Sequence, residues 1–398
     1  MESQLRWYLT SSALFVIPMG IGQLLLPWLL AIYLQESATR IGLAQMFAQL
    51  PVVLLVLWGG WLGDRVDQRR LLIYLTLLIS LPPLMLAAIA FLGSINYWIV
   101  VFYSILMGCC MAFIQPARDA LLNWVAGHKV QQVVTITIGL QWGVQIIGFA
   151  IGSTADFVGP SILLLVLSLF TLTAAYSTYK IPLLESTSPD SKGGAIDQIM
   201  EGLVFVWEDR AVRTAIIQIF ALAVFFAGAY IVLLPVMIRE LYQGGSVALS
   251  SGFGANLAGT VMVTLALMKL GRVQYPGRVL SVATAFSCLV LLALTVSLPV
   301  WLFYPVVFLW GAGGGLIVIM SRSIVQESAP ETHRARIMSI FSLAMMGGSP
   351  IGSVIMGLVI DEFGVHQAAF LPIVGMMLVG LFLALKTRLW SIKSNSLN

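Results

Sequence analysis

Charged side chains are scarce in this sequence. Only 10% of its 398 residues are Asp, Glu, Lys or Arg, whereas 59% are apolar and the mean hydropathy is +0.97. Soluble chains carry about 25% charged residues. The composition therefore excludes a soluble globular domain and predicts a chain that lies in a lipid bilayer.

Reactive motifs are scarce too. The three cysteines, Cys109, Cys110 and Cys288, lie inside apolar stretches, where we interpret them as small packing residues rather than as a disulfide framework or a metal site. The sequence contains no Walker loop, no His or Cys cluster at metal-ligand spacing, and no nucleophile beside a His or an acid at membrane depth. We therefore expect neither an enzyme nor an ATP-driven pump, and no cofactor or metal.

Long apolar runs are what the sequence has in abundance. A bilayer-spanning helix needs roughly 20 mostly apolar residues. Twelve runs approach or exceed that length: 7–33, 41–62, 71–93, 97–115, 131–155, 160–180, 213–238, 251–269, 278–297, 300–320, 337–360 and 367–386. Because lipid leaves open sheet edges unsatisfied, each run is expected to be a helix. The first run exceeds the apolar core of a signal peptide and lacks its basic start, so we expect a retained span.

The 21 Lys and Arg residues predict the orientation of the chain. If both termini are cytoplasmic, 19 basic residues fall on the cytoplasmic side and only Arg40 and Arg239 fall outside. This asymmetry is the one described by the positive-inside rule. The same bias explains the net charge of +4. We therefore expect no nucleic-acid partner.

One long polar connection separates the first six runs from the last six. Its first part, "PLLESTSPDSKGG", is typical of a flexible linker. The next part, "AIDQIMEGLVFVWEDR", has the apolar spacing of an amphipathic helix on the membrane surface. We divide the chain into a six-helix bundle at 1–180, this linker at 181–212, a second six-helix bundle at 213–390 and a cytoplasmic tail at 391–398.

The two halves also repeat each other in sequence. A shift of 205 residues aligns four identical residues: Gly143 with Gly348, Gly152 with Gly357, Asp156 with Asp361, and Gly159 with Gly364. Repeated six-helix bundles are typical of transporters that move one bundle against the other. The predicted fold class is an all-α polytopic membrane protein with twelve transmembrane helices in two pseudo-symmetric six-helix bundles.

The scarce charges gather after the second run. The stretch "GGWLGDRVDQRR" places two acids and three arginines within residues 64–70. It resembles the hallmark loop of the major facilitator superfamily: Gly60, three residues, Asp64, Arg65 and then a basic run. The stretches "FIQPARDALLNWV", "EGLVFVWEDRAVRTAI" and "VQESAPETHRARIMSI" resemble the branch that contains macrolide-efflux proteins and the enterobactin exporter. The resemblance extends over essentially the whole chain.

The resemblance implies a latch at the cytoplasmic mouth. Asp64 would contact the amino terminus of the eleventh helix, which carries about half a positive charge. The alternative, that the cluster only determines topology, explains the arginines but not two acids among them. Many relatives have a basic residue within the fourth helix, whereas here the first one is at its cytoplasmic end. The predicted latch comprises Gly60, Asp64, Arg65, Asp67, Arg69, Arg70, Arg118 and Asp119.

The resemblance also implies a cavity lined mainly by the first, fourth, seventh and tenth helices. Amides need partners in lipid, and aromatic and methionine side chains build adaptable apolar walls. The candidates are Gln23, Gln49, Tyr103, Met107, Gln141, Trp142, Gln145, Gln218, Phe226, Tyr230, Trp310 and Met345. Each of them is also compatible with plain helix packing. Because no buried Arg or Lys is expected, the cavity is predicted to favour a bulky amphipathic molecule over a highly charged nutrient.

Acids are absent from the middle of every predicted span. A mid-membrane ionisable group is usually functional, yet all 17 acids fall in loops or at helix ends. If protons drive transport, the carrier is therefore an acid near a mouth. The candidates are Glu36, Asp64, Asp119, Asp156 and Asp361. We interpret the three histidines, His128, His333 and His366, as solvated loop residues.

Taken with the resemblance, which is what implies proton antiport, these observations predict an exporter of an amphipathic small molecule, either a drug or a siderophore, in the bacterial inner membrane. A proton-independent facilitator or importer of a neutral metabolite is the alternative. A membrane receptor or assembly factor with a transporter fold is a more distant one. The expected partners are the small-molecule substrate, protons as the coupling ion and the lipid bilayer. We expect a monomer.

Overall fold

A computed structural model describes residues 2–63, 66–126, 130–182, 203–271, 273–330, 333–387 and 390. Nearly all of these residues are helical, and short turns connect the helices. No strand occurs within these ranges. The predicted all-α fold is therefore confirmed.

The described helices follow the predicted runs in order. Before the long connection they are α1 (Glu2–Trp28), α2 (Ala38–Gly63), α3 (Gln68–Ile79), α4 (Leu81–Phe91), α5 (Tyr97–Ala126), α6 (Val130–Gly152) and α7 (Ala155–Tyr179). After it they are α8 (Arg210–Leu222), α9 (Leu234–Tyr242), α10 (Ser246–Leu270), α11 (Pro276–Leu292), α12 (Val300–Ser328), α13 (Arg334–Phe363), α14 (Val365–Ala368) and α15 (Phe370–Lys386). Most of the predicted amphipathic linker helix lies outside the described residues, although 203–208 are helical.

Eleven segments among the described residues are long and apolar enough to cross a bilayer. They coincide with eleven of the twelve predicted runs. The remaining run, 131–155, corresponds to α6, a helix of 23 residues. A helix of that length can also reach across the hydrocarbon core of a membrane. The chain is thus a multi-pass integral membrane protein.

The helix α5 extends well past its predicted end at residue 115. It continues to Ala126 because an apolar face persists beyond the membrane-spanning part. The side chains of Leu121, Leu122 and Val125 on that face are buried. The sequence "QPARD" inside this extension therefore belongs to a packed helix and not to a helix end.

Two spans contain π-helical segments close to a proline. Leu29–Tyr33 directly follows α1, which contains Pro27. The second span joins α8 to α9 through Ala223–Ala227 and Ala229–Leu233, just before Pro235. π-Helical turns disturb the regular ladder of helix hydrogen bonds and occur often at functional sites. Irregular helix geometry thus occurs next to Pro27 and next to Pro235.

The chain divides into two compact units. Unit 1 comprises Met1–Glu36, Phe47–Lys192 and Gly244–Ser250. Unit 2 comprises Ser37–Met46, Gly193–Gln243 and Ser251–Asn398. The first turns of α2 therefore belong to unit 2, and the first turns of α10 belong to unit 1.

Glycine allows close helix contact inside each unit. In unit 1, a side chain at Gly148 of α6 would place its Cβ 2.6 Å from the carbonyl oxygen of Ile17 in α1. In unit 2, a side chain at Gly352 of α13 would place its Cβ 1.8 Å from the carbonyl oxygen of Val224. Small residues permit such backbone approach in membranes, where packing drives helix association.

We predict that Gly148→Ala and Gly352→Ala each destabilise the protein by about 1–3 kcal/mol, as overpacking does in other close-packed interiors. The matched control is Gly143→Ala, because a Cβ there meets no atom within 4 Å. Thermal unfolding of the purified protein in detergent measures the effect. An equal loss of stability in the control would contradict the close-contact explanation.

Candidate functional site

The predicted cytoplasmic latch is described only in part. Asp64 and Arg65 lie outside the described residues, and Gly60 lies in α2. Asp67 caps the start of α3, where its carboxylate accepts a hydrogen bond from the backbone N–H of Arg70 at 3.0 Å. The Arg70 Nε also lies 3.6 Å from the Asp67 Oδ2. These two residues therefore stabilise the beginning of α3.

Arg69 contacts the end of α7. Its Nη2 donates a hydrogen bond of 2.5 Å to the carbonyl oxygen of Tyr179, and its guanidinium lies 5.4 Å from the centre of the Tyr179 ring. A cation at the carboxyl end of a helix is favourable because the helix dipole is negative there. Arg69 thus joins α3 to α7 within unit 1.

Arg118 is a buried cation. Its side chain is only 5% exposed, and its guanidinium lies 4.4 Å from the centre of the Phe15 ring of α1. The Tyr8 hydroxyl donates a hydrogen bond of 3.4 Å to the Arg118 carbonyl oxygen. The Arg118 Nη1 has no hydrogen-bond partner, and no carboxylate of the described chain forms an ion pair with it. Arg118 is thus a buried cation in the last part of α5, and it is not one of the predicted cavity residues.

The neighbouring polar residues of α5 face elsewhere. Asp119 is exposed, and its Oδ1 accepts a hydrogen bond of 3.2 Å from the Gln115 Nε2, one helical turn earlier. A buried cation and an exposed acid thus stand at consecutive positions of the same helix. The sequence indicated the charges but not the burial, because "QPARD" has the composition of a solvated helix end.

Two predicted cavity glutamines contact each other. The Gln145 Nε2 in α6 donates a hydrogen bond of 2.7 Å to the Gln23 Oε1 in α1. Gln23 is exposed and Gln145 is half-buried, so this amide pair is open to a molecule beside it. The structure thus joins two residues that are 122 positions apart in sequence.

Three predicted aromatic residues cluster in unit 2. The Trp310 ring of α12 lies 6.5 Å from the Phe226 ring and 6.1 Å from the Tyr230 ring, both at nearly perpendicular angles. Phe253, which the sequence did not single out, packs 4.8 Å from Tyr230. Phe226 and Tyr230 lie on the two π-helical segments before α9. Edge-to-face ring contacts of this kind are favourable.

The other predicted cavity residues are distributed over both units. Gln218 is buried, and its Nε2 donates a hydrogen bond of 2.9 Å to Thr284 of α11, which favours a packing role. Tyr103 is buried as well. The remaining residues are half-buried or exposed: Gln49, Met107, Gln141, Trp142 and Met345. Their part in a cavity stays a prediction.

The acid Asp156, in the first turn of α7, accepts hydrogen bonds from two sides within unit 1. The Trp28 Nε1 donates to its Oδ1 at 2.7 Å. The backbone N–H of Ser246, the first residue of α10, donates to its Oδ2 at 2.5 Å, and the Ser246 hydroxyl lies 2.8 Å from the same oxygen. Asp156 therefore caps the start of a helix that is 90 positions away in sequence.

The acid Asp361, in the last turn of α13, makes the corresponding contact within unit 2. Its two carboxylate oxygens accept hydrogen bonds from the backbone N–H groups of Ala38 at 3.0 Å and Thr39 at 2.8 Å, at the start of α2. A carboxylate at an exposed helix amino terminus stabilises it by about 0.3–1 kcal/mol. The sequence identified both acids but not their partners, because it contains no signal for contacts between distant segments.

The architecture is the major facilitator fold of membrane transporters. Solved structures of that fold superimpose on nearly the whole chain. The nucleoside transporter NupG has a TM-score of 0.75 at 11% identity and covers 99% of this chain and 100% of its own. A bacterial homologue of the human lysosomal transporter Spinster, inward-facing and unoccupied, has a TM-score of 0.76 at 10% identity and covers 98% of both chains.

The chain belongs to the transmembrane secretion effector family of the major facilitator superfamily, which it matches over residues 11–398. The resemblance inferred from the sequence motifs is thereby confirmed. The staphyloferrin A transporter of Staphylococcus aureus is 24% identical over 375 residues, covering 90% of each protein. The uncharacterised MFS-type transporter YfiS of Bacillus subtilis is 25% identical over 393 residues, covering 92% of this chain and 90% of that protein.

We predict that Gln23 and Gln145 are coupled in a double-mutant cycle of leucine substitutions. The expected coupling energy is about 0.6–1.7 kcal/mol, the range of hydrogen bonds between membrane helices. Thermal unfolding in detergent measures it. The control cycle pairs Gln23 with Gln141, whose side chain has no hydrogen-bond partner in the described chain, and should give no coupling. Equal coupling in both cycles would contradict the contact.

Proposed function

We propose that this protein is a secondary active transporter that exports an amphipathic small molecule, a siderophore or a drug, from the bacterial cytoplasm by alternating access. Export is proposed to run in antiport with protons. The observation that carries the proposal is the presence of an open amide contact and an aromatic cluster in a chain of the secretion effector family. The transporter acts as a monomer in the inner membrane, with both termini in the cytoplasm.

The substrate class is supported by the chemistry of the candidate residues. The amides of Gln23 and Gln145 can donate and accept hydrogen bonds, because each amide carries both functions. The rings of Phe226, Tyr230 and Trp310 supply apolar area with defined edges and faces. Such residues suit a molecule that is partly apolar and partly hydrogen-bonding. The staphyloferrin A transporter among the relatives favours a siderophore, and the sequence motifs that resemble macrolide-efflux proteins favour a drug.

The cytoplasmic latch is supported by the packing of α2 against α5. Gly59 of α2 lies against Ala112 of α5, and Gly108 of α5 lies against Ala48 of α2, so the two helices run in the same direction. The last described residue of α2 thus approaches the level of Arg118, and Asp64 follows it in the chain. We infer that Asp64 is the partner that the buried guanidinium requires in one state of the cycle.

Transport itself is tested in proteoliposomes that contain the purified protein, with staphyloferrin A and erythromycin as the two probes. With a proton gradient imposed, one probe is expected to accumulate above its equilibrium level, and a protonophore should abolish that accumulation. Liposomes without protein are the control. If neither probe moves, the proposed substrate class is rejected.

A second candidate function is a proton-independent facilitator or importer of a neutral metabolite. It is favoured by the position of the described acids, since Asp119, Asp156 and Asp361 all lie within a few turns of a helix end. In the same liposomes, equilibration without accumulation, unchanged by a protonophore, would favour the facilitator over the antiporter.

We predict that Asp64→Asn lowers the transport rate by about tenfold, which corresponds to the loss of about 1.4 kcal/mol of interaction, while membrane insertion stays intact. Arg118→Gln should lower it to a similar extent, and the double variant should lose no more than either single variant, because the two residues act as one pair. The control is Glu208→Gln, at an exposed acid of the linker. Undiminished transport by Asp64→Asn would reject the latch, and additive losses would reject the pairing.

A further inference from the structure

The two acids Asp156 and Asp361 sit in the same local backbone structure. Each is followed three residues later by a glycine in the left-handed region, Gly159 with φ 76° and ψ 167° and Gly364 with φ 83° and ψ 168°. Only glycine adopts this conformation readily. The two segments that repeat at a spacing of 205 residues therefore share backbone geometry as well as residue identity.

The helix starts that these acids contact also repeat each other. Ala38 and Ser246 are 208 positions apart, and each begins a helix three residues after a glutamine with positive φ. These glutamines are Gln35 with φ 53° and Gln243 with φ 47°, the only non-glycine residues with positive φ in the described chain. Such residues are uncommon. The similar turns at Gln35 and Gln243 thus place the starts of α2 and α10 beside Asp361 and Asp156.

The contacts are exchanged between the sequence halves. Asp156 precedes the linker and contacts Ser246, which follows it, whereas Asp361 follows the linker and contacts Ala38, which precedes it. Each contact lies inside one compact unit, since unit 1 contains Gly244–Ser250 and unit 2 contains Ser37–Met46. Both acids therefore bind the positive end of a helix from the other half.

A second polar contact lies one helical turn further along each of these helices. The Ser250 hydroxyl in α10 donates a hydrogen bond of 3.0 Å to the carbonyl oxygen of Phe149 in α6. The Ser353 hydroxyl in α13 donates one of 3.2 Å to the carbonyl oxygen of Gly42 in α2. Each helix start is thus held by a carboxylate at its first residues and by a serine contact four residues later.

We propose that Asp156 and Asp361 form a paired latch on the outer side of the membrane. In this structure the carboxylates hold the first turns of α10 and α2. In the proposed cycle, both contacts are released when the protein opens outward. The assignment to the outer side and the opening step rest on the proposed alternating-access exporter. The latch is the counterpart, at the opposite ends of the helices, of the cytoplasmic charge cluster around Asp64.

The test measures access from outside to a deep reporter cysteine. Gln141→Cys is suitable, in a protein whose Cys109, Cys110 and Cys288 are replaced by alanine, because Gln141 lies eleven residues before the end of α6, about 17 Å along the helix. A membrane-impermeant maleimide is added to intact cells, and the labelling rate is followed. The readout requires no substrate.

Neutralising either acid is expected to raise the labelling rate. Asp156→Asn and Asp361→Asn should each raise it by about two- to fivefold, the range expected for loss of a charge at an exposed helix terminus, and the double variant should raise it further. The control is Glu362→Gln, because Glu362 is exposed next to Asp361. Wild-type labelling rates in both single variants and in the double variant, at normal protein levels, would overturn the latch.

A glycine variant tests the same contact without removing a charge. A Cβ at Gly245 would lie 2.0 Å from the Asp156 Oδ2, so Gly245→Ala must displace the carboxylate and should raise labelling as Asp156→Asn does. Gly254→Ala is the matched control, because a Cβ there meets nothing within 4 Å. Labelling that stays at the wild-type rate in Gly245→Ala would contradict the latch.

The outcomes separate the latch from the proposed export. Increased labelling in variants whose wild-type parent moves neither probe in liposomes would support the latch and reject the exporter. Increased labelling that occurs only in inside-out vesicles would overturn the placement of the latch on the outer side. Normal export together with unchanged labelling in all variants would reject the latch and leave the exporter standing.

Discussion

Lipid offers no hydrogen-bond partner, and this constraint determines where the polar groups of the protein lie. Inside the spans, many side-chain amides and hydroxyls therefore bond to one another or to the helix backbone. Gln218 donates to Thr284, and the Thr76 hydroxyl donates to the carbonyl oxygen of Leu72 four residues earlier. The Asp361 carboxylate, for example, contacts the start of another helix, α2. The unsatisfied N–H groups there supply a partial positive charge.

Arg118 departs from this rule. Its guanidinium is buried beside an aromatic ring, and its Nη1 has no partner in the described chain. Burying a charge costs several kcal/mol, a ring contact returns about 0.5–2 kcal/mol, and the neighbouring Asp119 carboxylate adds an electrostatic attraction. The difference favours any state in which a carboxylate reaches the guanidinium. Under the proposed cytoplasmic latch, Asp64 would be that carboxylate in a second conformation.

The spans were predictable because hydropathy is a local property of the sequence. The run at 213–238 could be recognised without knowing its neighbours, and the duplicated Asp156 and Asp361 could be found by aligning the sequence with itself. The end of α5 was not predictable in this way, because Leu121 and Val125 are buried by other helices and their burial is a tertiary property. The partners of the two acids are 90 and 323 positions away, so only the folded chain reveals them.

The exchange of contacts between repeats has a mechanical consequence. A carboxylate stabilises a helix start only over the first turn, and its hydrogen bonds require close distances and suitable angles. Such a contact is therefore lost over a small separation and resists none of the motion that follows. Under the proposed outer latch, the two equivalent contacts, each between segments from opposite sequence halves, are released together on outward opening. On that proposal, the duplicated fold would provide a cooperative release from two weak interactions, neither of which is strong enough to hold the transporter in one state permanently.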